Sequence, residues 1–325
     1  MRKLIATISA GILATSLAAC SSGGDSGTEA SSAPTSGDET LTVAFSFGQS
    51  VHPFFIAMEK GARDAAEELG VEFVTTSADY VVENQVKNIE DLLQRGVDGL
   101  LVNPIDSEAL SNVVQESLDA DVPVVTVDID VTGADTTSFV ASDNAQIGAM
   151  AAEYIIDQLG GEGTVAVLGN PVVTSTMQRE EGFLAAIAEA PGIEVVANAG
   201  EAMERQTALD AAETILQANP DLGAIFGVNE SGALGALGAV QARGIDTIIL
   251  GVDATPDMLA AVQAGGNVKA TISQDPYQMG YDAMQIIVKH LHGEAVATEQ
   301  SAPIDLVTIE NVQVFIDREA QYAAE

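Results

Sequence analysis

Short apolar runs alternate with stretches of helical periodicity almost without interruption from Leu41 onward. The first run, residues 41–47, predicts a strand. A helix is predicted to start at Pro53 and end at Gly70, because its apolar residues recur every three to four positions. The predicted strands are residues 41–47, 71–76, 97–102, 122–127, 138–141, 164–168, 194–197, 223–228, 247–252, 269–273 and 306–314. The same rhythm therefore runs through the whole chain and restarts after residue 127.

Helical segments separate nearly all of these strands, and this order predicts parallel pairing with right-handed crossovers. The fold class is therefore α/β, with two doubly wound parallel sheets, each covered by helices on both faces. Without its first 19 residues the chain has 306 residues (325 − 19), which suits two domains better than one.

The N-terminus has the layout of a secretory signal: basic residues at positions 2 and 3, an uncharged apolar stretch, and small residues before Cys20. The segment Leu17-Ala18-Ala19-Cys20 resembles a bacterial lipobox, and Cys20 is the only cysteine in the chain. We therefore expect a signal peptide at 1–19 and a lipid-anchored flexible linker at 20–40, which is rich in Ser, Gly and Thr. The alternative is an ordinary secreted signal followed by a chance cysteine.

The charge balance restricts the partners. The chain has 48 acidic and 12 basic residues, a formal net charge of −36. A field of this sign repels nucleic acid and anionic lipid surfaces, so we expect no nucleic-acid partner and no membrane contact beyond the anchor. The acidic surface is consistent both with a need for solubility and with a saline habitat.

Polar residues follow many of the predicted strands, where open parallel sheets bind their ligands. They are Ser46 to His52, Asn103, Asp106 and Asp128 in the first half, and Asn170, Asn229, Asp253 and Gln274 in the second. Each one alone is more typical of a turn or a helix cap, as at Asn229 and Asp253. Together with the aromatic pair Phe54-Phe55, they predict a polar ligand pocket.

Several segments, in this order, resemble the ribose-binding branch of the type I periplasmic binding proteins, the receptors of carbohydrate ABC importers. They are Pro53-Phe54-Phe55, Asn103–Ser107, Val140–Asn144, Glu181-Gly182-Phe183, Gly251–Asp257 and Ala270–Gln274. The resemblance implies two lobes around a cleft, joined by crossings near Asp143, Asp275 and Ile304. The N-terminal lobe would comprise 41–142 plus 275–302, and the C-terminal lobe 143–274 plus 303–325.

The resemblance also assigns ligand contacts. The family's sugar contacts correspond to His52, Phe54, Phe55, Asp128, Asn229, Asp253 and Gln274. The residue types match those of the family except at His52, where the family commonly has Asn. Carboxylates and amides suit sugar hydroxyls, and aromatic rings pack on C–H faces. Three further ligand-binding positions depart from the family: Ile129 and Met177 replace arginines, and Met203 replaces an aromatic.

Loss of both guanidinium groups predicts a more apolar pocket than that of a pentose or hexose receptor. Asp128 and Asp253, with His52 if it is protonated, would then favour a deoxy sugar, a smaller polyol or a ligand bearing an amine. Arg179 lies two positions after Met177.

We therefore expect a monomeric, extracytoplasmic solute-binding lipoprotein that is not an enzyme. It would bind a small sugar or polyol and work with ABC permease and ATPase subunits, anchored to the outer face of the cytoplasmic membrane or periplasmic. No nucleotide-binding or nucleophile motif is present, no cofactor is expected, and His290 and His292 diverge on a helix, which disfavours a metal. A signalling or quorum-signal receptor of the same fold, or a receptor for a non-sugar polar solute, remains an alternative.

Overall fold

The computed structural model describes residues 40–171, 173–200 and 204–323. The predicted signal peptide, Cys20 and nearly all of the predicted linker lie outside these residues, as does Met203. No helix in the described ranges combines the length and the apolar character needed to cross a membrane.

The first sheet has six strands in the order β11-β5-β4-β3-β1-β2. They are β1 (Thr42–Phe47), β2 (Glu72–Ser77), β3 (Gly99–Val102), β4 (Val124–Val127), β5 (Ser138–Ser142) and β11 (Glu299–Ala302). All of its pairs are parallel. The helices packed on it are α1 (Pro53–Leu69), α2 (Val82–Gln94), α3 (Ser111–Asp119) and α9 (Pro276–Leu291).

The second sheet has the order β12-β10-β9-β8-β6-β7. Its strands are β6 (Gly163–Leu168), β7 (Ile193–Ala199), β8 (Ala224–Gly227), β9 (Ile248–Val252), β10 (Val268–Ser273) and β12 (Asp305–Thr308). Its helices are α4 (Asn144–Gln158), α5 (Thr174–Ala188), α6 (Arg205–Ala218), α7 (Glu230–Arg243), α8 (Pro256–Gln263) and α10 (Val312–Ala323).

Each sheet buries apolar side chains on both faces. In the first sheet, Phe45 and Leu101 pack towards α1 and α9, while Ala44 and Leu100 pack towards α2 and α3. The second sheet is covered in the same way by two separate clusters. Strands buried on both faces have continuous apolar sequences, which explains the predicted runs. The predicted α/β class with two doubly wound lobes is confirmed.

The chain passes between the sheets three times: from β5 to α4, from β10 to α9, and from β11 to β12. Strand ends from both sheets can therefore face one another across a cleft between the lobes. The exact lobe boundaries given above remain a prediction.

Two expectations about the C-terminal region were wrong. The predicted strand at 306–314 is the shorter β12, which is followed by a turn and the helix α10. The side chain of Asn311 accepts a hydrogen bond from the amide of Thr308 (2.8 Å) and thereby stabilises that turn. Strand β12 also pairs antiparallel with β10, whereas parallel pairing was expected throughout. Strand β11 runs parallel to its neighbour in the first sheet and is joined to β12 by only two residues, so the chain crosses between the lobes without reversing and enters the second sheet antiparallel to β10.

Candidate ligand-binding cleft

A cavity of about 200 Å³ lies between the two sheets, and its walls come from the carboxyl ends of strands in both. One side, here called the aromatic wall, is formed by His52, Phe54, Phe55 and Tyr80. The opposite side, here called the polar wall, is formed by Arg179, Asn229, Glu230, Asp253 and Gln274. Asn103, Asp128 and Ile129 also line the cavity beside the aromatic wall.

The aromatic wall is built on the start of α1. Pro53 occupies the first turn of this helix, and its preset backbone angle brings Phe54 and Phe55 to the cavity. The Phe54 and Phe55 rings pack edge to face with centroids 5.6 Å apart, and Tyr80 packs edge-on against Phe55 at 6.1 Å. Such a wall excludes water and offers flat apolar surface to a ligand.

His52 is the N-cap of α1, and this contact determines its tautomer. Its Nδ1 accepts a hydrogen bond from the Phe54 amide (3.2 Å), so in the neutral ring the hydrogen is on Nε2. Burial lowers the pKa of His52, although Asp253 opposes this effect. The structure therefore disfavours the protonated His52 considered above and assigns it a neutral Nε2–H donor.

Asp128 follows β4 and is only 8% exposed. Its φ of 67° is a left-handed conformation, which Asp and Asn tolerate better than most residues. Its Oδ2 accepts a hydrogen bond from Asn103 Nδ2 (3.2 Å), which also donates to the Val127 carbonyl (3.0 Å). Burial raises the pKa of Asp128 from 3.8 to about 6, against the smaller opposing effect of Arg179. Asp128 is thus an acceptor with little hydration.

Asp253 follows β9 and is also left-handed, with φ 82°. Its Oδ1 accepts a hydrogen bond from Gln274 Nε2 (2.7 Å), and its Oδ2 accepts one from the Glu230 amide (3.4 Å). The carboxylate is thereby held in place at the cavity. The sequence had suggested Asp253 as a helix cap, but Thr255 caps α8 instead.

Asn229 both caps a helix and lines the cavity, the two roles considered for it above. Its Oδ1 caps α7 by accepting a hydrogen bond from the Gly232 amide (2.8 Å), and the residue also lines the cavity. The cap leaves its Nδ2 as a donor. Glu230 follows it, with a carboxylate that bonds to the Thr255 hydroxyl; burial raises the pKa of Glu230.

Arg179, not Met177, is the α5 residue at the cavity. Two positions along a helix correspond to a rotation of about 200°, so the two side chains point to opposite faces. Arg179 is 3% exposed; its Nε donates to Asn144 Oδ1 (2.8 Å) and its Nη1 to the Val228 carbonyl (3.0 Å). Met177 is not among the residues that line the cavity, whereas Arg179 is, so the cavity holds one guanidinium group where the resemblance had implied the loss of both.

The packing of α5 against α4 holds this arginine in place. A Cβ added at Gly148 of α4 would lie 2.0 Å from the Arg179 carbonyl oxygen, so only glycine permits the observed approach of the two helices. The side chain of Arg179 then reaches Asn144 at the first turn of α4. Nη2 remains as a donor for a ligand.

Two buried acceptors among the cavity residues have no protein partner in the described part of the chain. They are Oδ1 of Asn103, a residue that is 1% exposed, and Oε1 of Gln274, a residue that is 4% exposed. A buried polar atom without a partner is costly, so a ligand or water that donates hydrogen bonds here would be favoured.

The predicted residues that line the cavity are His52, Phe54, Phe55, Asp128, Ile129, Asn229, Asp253 and Gln274. Asp106 is not among them, because its carboxylate caps the turn before α3 by accepting from the Glu108 and Ala109 amides. Asn170 is also absent from the lining. No group of three or more potential metal ligands occurs among the described residues.

Sequence reasoning missed Tyr80 and Glu230. Tyr80 lies in the loop after β2, whose carboxyl end reaches the same edge of the sheet as that of β1. Glu230 directly follows a predicted site residue. Helical periodicity would have predicted that Arg179 points inward, because it lies on the same face of α5 as the buried Phe183, four residues later.

A profile of the periplasmic binding protein domain family matches residues 43–295, more than half of the chain. The protein therefore belongs to this family, which confirms the predicted resemblance. The ribose import binding protein RbsB of Bacillus subtilis (strain 168) is 36% identical over 269 residues, covering 82% of this chain and 87% of that protein.

Two solved structures share the fold. A periplasmic ribose ABC transporter protein from Conexibacter woesei has a TM-score of 0.80 and 29% identity, covering 86% of this chain and 95% of the other. An ABC transporter solute-binding protein from Bacillus halodurans, with bound myo-inositol, has a TM-score of 0.79 and 29% identity, covering 88% and 100%.

Proposed function

We propose that this protein is the solute-binding component of an ABC importer and that it encloses a small sugar, deoxy sugar or polyol between its two lobes. The observation that carries the proposal is the composition of the cavity, in which an aromatic wall faces a polar wall at the carboxyl ends of two parallel sheets. Similarity to sugar-import binding proteins supports the same assignment.

The size of the cavity favours a small ligand. Pockets for drug-sized molecules are on the order of 300–1,000 Å³. A cavity of about 200 Å³ suits a solute of monosaccharide or polyol size. The rings of Phe54 and Phe55 would cover the C–H face of such a solute, while Asp253, Gln274 and Arg179 would bind its hydroxyl groups.

The lobes would close over the ligand by a hinge at the three crossings between the sheets. Ser107 Oγ lies 3.5 Å from Thr174 Oγ1, and these two hydroxyls belong to opposite lobes. A contact of this kind across the cleft supports a closed arrangement. Closure would present one continuous surface to the permease and ATPase subunits of the importer.

We also propose that the chain is exported and anchored through Cys20, with a monomeric body outside the cytoplasmic membrane. The support is the lipobox-like segment ending at Cys20 and the polar stretch after it. Labelling cells with a radioactive fatty acid would test this, because the native chain should be labelled and the Cys20→Ser variant should not.

Thermal melting against a solute library tests the binding proposal. The chain from residue 20, with Cys20→Ser, would be freed of copurified solute and screened against pentoses, hexoses, deoxy sugars, tetritols, pentitols and inositols. A solute at 100 times its Kd adds about 2.7 kcal/mol to the free energy of unfolding, a shift of several degrees. If no sugar, polyol or amino derivative shifts the melting temperature or binds by calorimetry, the proposal is wrong.

A further inference from the structure

The carboxylates of the cavity are not balanced by nearby cations. Within the described residues, neither Asp128 nor Asp253 forms an ion pair with a lysine or arginine. Asp128 is 8% exposed, and among the described residues its side chain accepts a hydrogen bond from the neutral Asn103 alone. A buried carboxylate without a counterion is unfavourable, so this cavity favours a positive charge.

Arg179, a buried arginine that lines the cavity, does not neutralise both carboxylates. Two nitrogens of Arg179 are hydrogen-bonded to Asn144 and Val228, and its single charge is opposed to those of Asp128 and Asp253. The other acid of the polar wall, Glu230, lies 3.7 Å from Arg205, but this arginine is shared with Asp257, to which it is closer at 3.0 Å. At least one net negative charge therefore remains at the ligand position.

The neutral groups of the cavity add acceptors to this excess. Asn103 Oδ1 and Gln274 Oε1 are buried acceptors that receive no hydrogen bond from any described part of the chain. Ile129, directly after Asp128, is apolar and supplies no donor from its side chain. His52 contributes one neutral donor and no charge. Asn229 also contributes a neutral donor, and Arg179 is the lining residue that brings a positive charge, so the cavity is short of positive charge.

On the basis of the proposed function, we infer that the preferred ligand is a sugar or polyol that carries a primary ammonium group, which faces Asp128 and Asp253. An ammonium group brings three donors, no acceptor and a positive charge. A hydroxyl at the same place brings one donor, no charge and two lone pairs. The aromatic wall would still cover the carbon skeleton. The ligand therefore remains a sugar or polyol and differs only in carrying an ammonium group in place of one hydroxyl.

Matched ligand pairs test this inference by calorimetry at pH 7.5. Each pair shares one skeleton: glucose with glucosamine, galactose with galactosamine, mannose with mannosamine, glycerol with 3-amino-1,2-propanediol, and inositol with its inosamine. We expect at least one amine to bind at least tenfold more tightly than its hydroxyl parent. The N-acetyl derivative of that amine, when a sugar, should lose this advantage because acetylation removes the charge.

Ile129→Arg provides the charge control, and Ile129→Met is its matched neutral variant. The new arginine places a cation beside Asp128. For each ligand pair that binds, the ratio of the two affinities should therefore shift at least tenfold towards the hydroxyl parent. The methionine variant should keep the preference for the amine. Melting temperatures and circular dichroism would check that both variants fold.

The outcomes separate the two proposals. If hydroxyl parents bind and no amine binds more tightly than its parent, the inferred ligand class is wrong and the solute-binding function stands. If an amine is preferred but Ile129→Arg leaves that preference unchanged, the charge explanation is wrong. If nothing in the series binds, the inferred ligand class is wrong, and the solute library described above decides separately whether the proposed function fails.

Discussion

The two lobes share one strand order but supply different chemistry to the cleft. The first sheet contributes the aromatic wall and the buried Asp128, whereas the second contributes the polar wall with Arg179 and Asp253. The loops at the strand ends therefore determine the chemistry, while the sheets determine where those loops meet. We interpret the aromatic wall as the surface that excludes water and the polar wall as the one that orients the solute.

The largest expected effect comes from the polar wall. Asp253→Asn retains the shape and tolerates the left-handed backbone, but it removes the charge. We expect a loss in affinity of about 2–5 kcal/mol, more than tenfold in Kd, with a small change in stability. Calorimetry with the best ligand from the library measures this effect. An unchanged Kd would mean that Asp253 does not contact the solute.

Asp128→Asn tests the buried carboxylate beside the aromatic wall. Because burial raises the pKa of Asp128 from 3.8 to about 6, the folded protein binds more protons than the unfolded chain between these values. The free energy of unfolding should therefore fall as the pH rises through this window. The substitution removes this destabilisation, which is on the order of 3 kcal/mol above pH 6.

Urea unfolding of the ligand-free protein between pH 4 and 8 would measure this effect. The stability advantage of Asp128→Asn should be largest above pH 6 and should disappear towards pH 4. An advantage that is the same at every pH would contradict the assignment of the effect to this carboxyl group.

Phe54→Ala probes the aromatic wall itself. Phe54 is only partly buried and packs at the edge of the first core, in contrast to Phe55, which is 8% exposed. We expect about 1–2 kcal/mol of lost binding, roughly tenfold in Kd, because the ring no longer covers the solute. Phe54→Leu should recover part of the loss. Equal affinities for all three proteins would remove Phe54 from the site.

The smallest effect is expected on the outer side of the polar wall. Asp257 pairs with Arg205 at 3.0 Å, and the Asp257 side chain is 67% exposed. Exposed ion pairs contribute about 0–1 kcal/mol, so Asp257→Asn should change neither Kd nor melting temperature appreciably. This variant is the matched control for Asp253→Asn, and a large loss of affinity from it would show that the polar wall is wider than the cavity lining.

Much of the fold followed from local patterns. Continuous apolar runs predicted the strands because parallel strands covered on both faces have no polar side to display. The same reasoning failed at 306–314, where apolar residues occur both in β12 and on the buried face of α10. A short apolar run does not distinguish a strand from the start of a helix.

The sequence by itself determined the α/β class, the family and most of the residue types at the cleft, because these depend on periodicity and on short motifs. Only the tertiary structure decided which α5 residue reaches the cavity, since helical phase and the close packing at Gly148 exclude Met177 and present Arg179. It also decided the tautomer of His52 and the burial that raises the pKa of Asp128. Both depend on burial and on partners brought together from distant parts of the chain, which no local pattern contains.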